Sequence, residues 1–457
     1  MATDKRSLLV SWLASSKLRA RTLTAALMLC AAPAAVHAAP EVQQWSTPAG
    51  ARVLFVETHE IPAVDVRMTF AAGAARDGEH PGVARLTSNL LMSGTESLNG
   101  DALAEAYERE GAEVSTGAAR DMGWVEFRSL SDEAHLWPVA RTVADLAANP
   151  TFPPGEVERL IGQQRTSLAR KAQSPGALAS RAFWRTVYGD HPYGHEPLGT
   201  EESLDAITRD DIRAFHERYY AAANANLAIV GDLSRAEAER LARTLTESLP
   251  QGEPASALPR VPDPEADETV REDFPSNQAH VLIGRPAVAR GGDRWPALVV
   301  ANHVLGGGGF SSRLMSEVRE ERGLVYGISS GFSPMSARGP FRVQLQTRGD
   351  QTGEALEVVN AQLKRFVQEG PSAAEVDDAV SNITGGFPLE VDSNSELTGY
   401  LSMIGFYELP TNYLQQYRDR IAEVDAEAAR VAFAEVVGDQ PLVRVIVGGN
   451  RARDAQP

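Results

Sequence analysis

Two widely separated stretches of this chain end in the same way, and that repetition constrains the fold more than any other feature. Ile207-Thr208-Arg209-Asp210-Asp211 opens a helix through Phe215 and Tyr219 that leads into Leu227-Ala228-Ile229-Val230-Gly231. Val424-Asp425-Ala426-Glu427 opens another through Val431 and Phe433, leading into Val443-Arg444-Val445-Ile446-Val447-Gly448. The two strand-end glycines are 217 residues apart, and an apolar helix ending at Ser93-Gly94 has its counterpart at Leu305-Gly306, 212 residues on. Two anchors at nearly one offset point to a duplicated unit.

A proline-rich stretch separates the copies. Pro250, Pro254, Pro259, Pro262 and Pro264 fall among few large apolar residues, which reads as an extended linker. The expected organisation is a leader over 1–38, a first domain over 39–249, a linker over 250–265 and a second domain over 266–457.

Within each copy strands and helices cluster. Val53–Glu57 and Ala63–Phe70 alternate apolar and polar residues, as half-buried strands do. Asp101–Glu110 reads as a helix stopped by Gly111, and Glu113–Thr116 with Trp124–Leu130 as a hairpin. Helices are expected over 155–173, 175–188 and 209–220. This grouping favours an α+β fold: two homologous domains, each a mostly antiparallel sheet with helices packed on one face.

Charge removes one class of function. Forty-four Lys and Arg against 61 Asp and Glu give a net charge of −17, the wrong balance for gripping a phosphate backbone. The first 38 residues differ from the rest. Lys5, Arg6, Lys17, Arg19 and Arg21 precede an apolar run from Leu23 to Val36, too short for a stable membrane anchor, and Val36-His37-Ala38 resembles a cleavage site. Losing this leader, with five basic residues and Asp4, takes the net charge to −21. It also removes Cys30, the chain's one cysteine, so a mature protein in the periplasm or medium would have no thiol. Leu29 and Met28 before Cys30 do not suit a lipoprotein signal.

Gly82-Val83-Ala84-Arg85-Leu86-Thr87-Ser88-Asn89-Leu90-Leu91-Met92-Ser93-Gly94-Thr95 resembles the active-site helix of the insulinase/pitrilysin family of zinc metallopeptidases. In that family a His-x-x-Glu-His motif sets two zinc ligands and a water-activating Glu on one helix face. Those positions fall here on Arg85, Ser88 and Asn89. A guanidinium does not lose its proton and repels a cation, and neither a hydroxyl nor an amide suits the remaining roles. The third ligand, a Glu on a later helix, aligns near Thr166 or Ser167, with Glu156 and Glu158 as nearby alternatives. The resemblance therefore implies that this chain binds no catalytic zinc, catalyses nothing alone and carries a degenerate site. The plain alternative for Arg85 is a solvated arginine on a helix face.

The other histidines do not restore the motif. His191-Pro192-Tyr193-Gly194 with Gly199-Thr200 resembles a structural segment of the family. His216-Glu217-Arg218-Tyr219-Tyr220 begins like a zinc motif but ends in Tyr, so His216 is expected at the surface or core edge. His303 is expected to pack on an apolar helix.

Leu305-Gly306-Gly307-Gly308-Gly309-Phe310-Ser311-Ser312-Arg313-Leu314 runs on to Arg319-Glu320-Glu321-Arg322-Gly323-Leu324-Val325-Tyr326. The glycines form a loop whose backbone can approach another chain closely, Ser311 or Ser312 can cap the next helix, and Gly323 can end it. Without Gly-Lys-Ser/Thr it is no phosphate loop. The family carries a similar motif whose Arg and Tyr, seven apart, bind substrate. The resemblance implies that role for Arg319 and Tyr326, with Gly307 and Gly308 beside them. Taken singly, Arg319 could instead offset a helix dipole and Tyr326 could pack in a core. Asp392-Ser393-Asn394-Ser395-Glu396-Leu397 and Tyr407-Glu408-Leu409-Pro410-Thr411-Asn412-Tyr413 extend the resemblance, which spans about residues 42 to 450.

Bacterial members of this family include pairs of half-size chains, one with the zinc motif and one with the Arg/Tyr pair. The resemblance thus implies a processing-peptidase-like fold, a zinc-bearing homologous partner and a peptide substrate, without a membrane span. A peptide-binding scaffold with no part in catalysis, or a self-sufficient zinc peptidase, are the other readings.

Overall fold

The computed structural model describes residues 41–449, so the leader expected over 1–38, with Cys30, lies outside it. The first sheet contains β1 (Gln43–Ser46), β2 (Arg52–Glu57), β3 (Ala63–Phe70), β4 (Glu113–Ala118), β5 (Gly123–Leu130) and β6 (Ala225–Gly231), in the order β1-β2-β6-β3-β5-β4. The second contains β7 (Glu268–Glu272), β8 (Gln278–Val288), β9 (Val325–Phe332), β10 (Gly339–Arg348) and β11 (Val443–Gly448), in the order β7-β11-β8-β10-β9. Leaving out β1, the two orders are the same. The strand directions agree as well: β2 runs parallel to β6 and β7 to β11, and the other pairs are antiparallel.

The anchor glycines occupy equivalent corners. Gly231 has φ +150° and Gly448 has φ +83°. A Cβ on Gly231 would lie 2.3 Å from the Ala63 carbonyl oxygen, and one on Gly448 2.7 Å from that of Gln278. Each crowds the first residue of the strand beside it, so a side chain is excluded by both conformation and space. The sequence repeat is thus a repeat of backbone geometry.

The helices that position the site are α1 (Val83–Leu90), α2 (Pro154–Ala172), α3 (Pro175–Tyr188), α4 (Arg209–Tyr219), α5 (Trp295–Asn302), α6 (Ala373–Gly386) and α7 (Asn394–Phe406). Most pack on one face of the sheet from their own half. Val53, Phe55, Val66, Met68 and Ile229 share a core with Leu86 and Leu90 of α1. Val281, Ile283, Val343 and Leu345 share one with Val300 and Ala301 of α5.

The opposite faces are covered by exchange. α3 belongs in sequence to the first half, yet its Ala179, Ala182, Phe183 and Val187 pack on Leu282, Val443, Val445 and Val447 of the second sheet. α7 belongs to the second half, and its Leu397, Leu401 and Ile404 pack on Leu54, Val56, Ala228 and Val230 of the first. β6 and β11 are therefore apolar on both sides, which explains why they read as near-continuous apolar runs.

Polar groups close the same junction. Asp121, buried in the β4–β5 turn, accepts from the Tyr193 hydroxyl at 2.5 Å, the Tyr407 hydroxyl at 3.0 Å and the Ser336 N–H at 2.7 Å. Tyr193 in turn accepts from the Ala337 N–H at 3.0 Å. Arg120 donates to the Tyr193 and His195 carbonyls, each at 2.7 Å, and lies 3.8 Å over the Trp184 ring. Burial lowers its pKa to about 10, so it remains a cation at neutral pH.

Residues 250 to 264 contain no helix or strand, but they are tied down. His191 Nδ1 accepts from the Tyr193 N–H, so Nε2 carries the proton and donates to the Pro259 carbonyl at 3.1 Å. Arg338 donates to the Val261 carbonyl and to Asp263, which also pairs with the buried Arg285. His216 sits deeper than the core edge. Its Nε2 meets the Ala147 carbonyl at 2.8 Å, its ring stacks on Tyr220, and burial holds its pKa down to about 4. Among the described residues no helix is long and apolar enough to cross a membrane.

The exchange predicts one cooperative unit. Phe183 is fully buried, and Phe183→Ala is expected to cost about 3–5 kcal/mol. Asp121→Ala, which strands two phenols and an amide, should cost about 3 kcal/mol. In urea titrations both variants should lower the midpoint of a single transition. A Phe183→Ala protein that melts in two steps, with the first half unaffected, would contradict the interlocked packing.

Candidate functional site

α1 starts at Gly82, whose φ is +101°. Its first amides are satisfied from outside the helix: Gly82 and Ala84 N–H donate to Asp77 at 2.7 and 2.9 Å. Burial pushes Asp77 up to about 7, against the pull of those two amides.

The three positions named from the motif share one helix but not one chemistry. Arg85 is half-buried and donates to the Ala118 carbonyl, at the end of edge strand β4, at 3.3 Å. Ser88 is fully buried against the Tyr220 hydroxyl, and that contact partly offsets the rise burial imposes on the phenol. Asn89 is half-exposed.

α2 supplies no missing ligand. Thr166 and Ser167 donate to the Gly162 and Gln163 carbonyls one turn back, at 2.9 and 3.0 Å. Glu156 pairs with Arg159 on the surface at 2.6 Å. The α2 side chain that does reach α1 is Gln164, which the sequence reading missed; its amide donates to the Gly82 and Leu198 carbonyls at 3.3 and 2.9 Å. Its spacing from Val157, Leu160 and Leu168 marks the inward stripe and could have identified it.

A cation, a sealed hydroxyl and an amide do not fit a zinc ion. Among the described residues, no group of three or more His, Cys, Asp and Glu is placed to hold a metal.

The second half presents a different surface at the equivalent end. α5 runs into a π-helical turn at His303–Gly307. A Cβ on Gly307 would lie 2.5 Å from the Asn302 amide nitrogen, and one on Gly308 2.8 Å from the His303 carbonyl. At Gly308 the clash is with backbone, so a side chain is excluded there; at Gly307 it is with the Asn302 side chain, and the backbone lies at 3.1 Å. Ser311 and Ser312 do not cap the next helix as expected. Their hydroxyls donate backwards to the Gly308 and Gly309 carbonyls, at 2.9 and 2.7 Å, and close the loop on itself.

The following helical segment is clamped from the side. Arg313 donates twice to Glu375 at the start of α6, both bonds 2.6 Å, and this pair holds the Glu375 carboxyl down to about 2. Leu314 and Val318 face the core, fully buried. Met315–Glu320 forms a second π-helical turn, which carries Arg319. Gly323, at φ +63°, donates to the Arg319 carbonyl and reverses the chain into β9.

β9 is the outer strand of its sheet, and a bulge re-aims its first exposed side chain. Gln346 of β10 faces Gly327 and Thr347 faces Val325, which leaves Tyr326 unpaired. Tyr326 is 84% exposed, and Phe310 of the glycine loop is 68% exposed. The Arg319 guanidinium lies between these rings, 5.8 Å from the Tyr326 centroid and 4.9 Å from that of Phe310. The expected meeting of Arg319 and Tyr326 is thus present, and Phe310 joins it. An exposed Phe after four glycines was the available signal for that third member.

Beside this cluster lies a groove of about 560 Å³, lined by Tyr326, Gly327, Ser329, Gln344, Gln346 and His280, with Gly176 and Ala179 of the exchanged helix α3. The outward residues of β9 next to it are Gly327, Ser329 and Gly331. A Cβ on either glycine would meet nothing within 4 Å. An outer strand with small outward residues is a surface onto which an extended peptide can add.

Comparison with known proteins points to one family. Residues 52–201 match the insulinase (peptidase family M16) family, and residues 206–383 match the peptidase M16 inactive domain. The chain is 28% identical over 426 residues to an uncharacterized zinc protease of Streptomyces coelicolor, covering 90% of each. It is 25% identical to a non-peptidase homolog of Helicobacter pylori, covering 84% of this chain and 88% of that one. The crystal structure of a peptidase M16 inactive domain from Pseudomonas fluorescens superposes with a TM-score of 0.86 at 38% identity, covering 89% of this chain and 97% of that one. Duplicated fold, altered first-half helix and Arg/Tyr-bearing second half together place this chain in the insulinase family of peptidases, family M16.

Proposed function

We propose that this chain is the non-catalytic subunit of an exported heteromeric zinc metallopeptidase. It supplies Arg319 and Tyr326 to the site of a zinc-bearing homologous partner, which hydrolyses the peptide substrate. One observation carries the reading. The first half's motif positions are occupied by groups that do not fit zinc, while a half-buried Arg319 lies against Tyr326, which stands exposed at the start of an outer strand.

The chemistry of the pair suits the role. When water adds to a peptide carbonyl, negative charge grows on the oxygen. A guanidinium and a phenol O–H can both donate to it, and fixed donors stabilise that charge more than they stabilise the starting carbonyl. The Arg319 guanidinium already lies near the Tyr326 and Phe310 rings, so the two donors start close to one another. The groove along β9 supports the peptide as an added strand.

Mixing the chain with a zinc-bearing homologous subunit should give peptide turnover that neither shows alone. Arg319→Ala should lower kcat by about 10²-fold, with the complex intact by size-exclusion chromatography. Unchanged turnover with Arg319→Ala and Tyr326→Phe together would rule out the proposed role and favour a scaffold that only binds peptide. Metal analysis should find zinc far below one per chain in this subunit alone and near one in the pair. Stoichiometric zinc and chelator-sensitive cleavage by the single chain would overturn the assignment. Export is proposed from the basic leader and its apolar run. The mature N-terminus, sequenced from an exported fraction, should lie near Ala39, and a full-length cytosolic product would refute export.

A further inference from the structure

Behind the strand ends, where residues 254–261 cross between the two halves, lies a cavity of about 940 Å³. Five guanidinium groups line it, those of Arg52, Arg76, Arg260, Arg290 and Arg338, and the one acidic residue in its lining is Glu408. This reverses the balance of the chain, whose net charge is −17. Most arginines that meet a neighbouring acid do so at the surface; here only Arg338 has a carboxylate partner within 4 Å, Asp263 at 2.8 Å. Among the described residues Arg52, Arg76, Arg260 and Arg290 make no ion pair.

Their surroundings leave donors unused. The Nε groups of Arg52 and Arg290 are buried and have no hydrogen-bond partner. Arg52 makes only long bonds to uncharged acceptors, the Gly405 carbonyl at 3.4 Å and Gln44 at 3.3 Å. Arg290 lies against the rings of Trp295 and Tyr407, 5.6 and 5.4 Å from their centroids. The carboxylate that acts on Arg76 is that of Asp121, which already accepts from Tyr193, Tyr407 and Ser336. Like charges gathered in a partly dry concavity repel one another, and a bound anion would relieve that repulsion.

We propose that this cavity binds a small polyanion, a molecule with at least two phosphoryl or carboxylate groups, held by Arg52, Arg76, Arg260 and Arg290. Guanidinium forks match both oxyanions in geometry, and the volume suits a ligand of metabolite size. The cavity is separate from the Arg319–Tyr326 cluster and shares none of its residues. Because its lining comes from both halves and from the connection between them, a bound anion would join all three.

The probes are inorganic pyrophosphate and citrate, titrated into the full-length mature chain by calorimetry at constant ionic strength. One saturable site per chain is expected for at least one probe, and their relative affinities decide between phosphoryl and carboxylate chemistry. Affinity should fall at least tenfold in Arg76→Gln and should weaken as salt is raised. Arg260→Gln, at an exposed position, provides a second variant with little risk to folding, and it should weaken binding as well. Circular dichroism confirms that each variant is folded. No saturable binding of either probe at about 10 mM, or binding that neither variant weakens, would overturn the proposal.

Discussion

Everything else in this protein depends on the exchange of one helix between its halves. A sheet with helices on one face leaves the other face bare, and a bare apolar face is not stable in water. α3 and α7 solve this reciprocally, each leaving its own half to cover the other's sheet. Asp121 then satisfies two phenols and an amide at the seam. The halves consequently hold a fixed relation to one another, with a pinned connection between them.

Within that frame the duplicated geometry was retained while the chemistry diverged. The same corner, strand order and helix recur in both halves, and each ends in a different surface. In the first half the helix turns a guanidinium onto the end of an edge strand and seals a hydroxyl against a phenol. In the second, a glycine loop and a bulge bring two aromatic side chains out into solvent, and a π-helical turn sets a half-buried guanidinium against them. A fold repeated in sequence need not repeat a function, because function depends on a handful of side chains that packing leaves free.

The sequence disclosed these features unevenly. Strands β2, β3 and β5, helix α3 and the anchor glycines were legible because local periodicity and backbone conformation set them. Arg319 and Tyr326 were legible because a glycine turn joins a helix end to a strand start over seven residues. The exchange was not legible: the apolar stripe of α3 says that it is covered, not which sheet covers it. Gln164 was hidden because alignment to a motif pointed at Thr166 and Ser167, whereas the helix face pointed at residue 164. His216 was placed too near the surface because it follows Phe215 on the rim of the helix's apolar stripe, while its ring stacks inward on Tyr220. The bulge at Tyr326 depends on register with β10, which no local pattern in β9 specifies.

That bulge has a further effect. An open strand edge can recruit any extended segment, including the same strand of a second copy, and so carries a risk of sheet-to-sheet aggregation. The unpaired residue at Tyr326 interrupts the regular ladder at one end of β9, so an incoming chain can stay in register only along Gly327–Phe332. A short ladder rewards a short, transient guest and gives little to a long, permanent one. The irregularity that aims the phenol therefore also limits the length of ladder that the edge can offer.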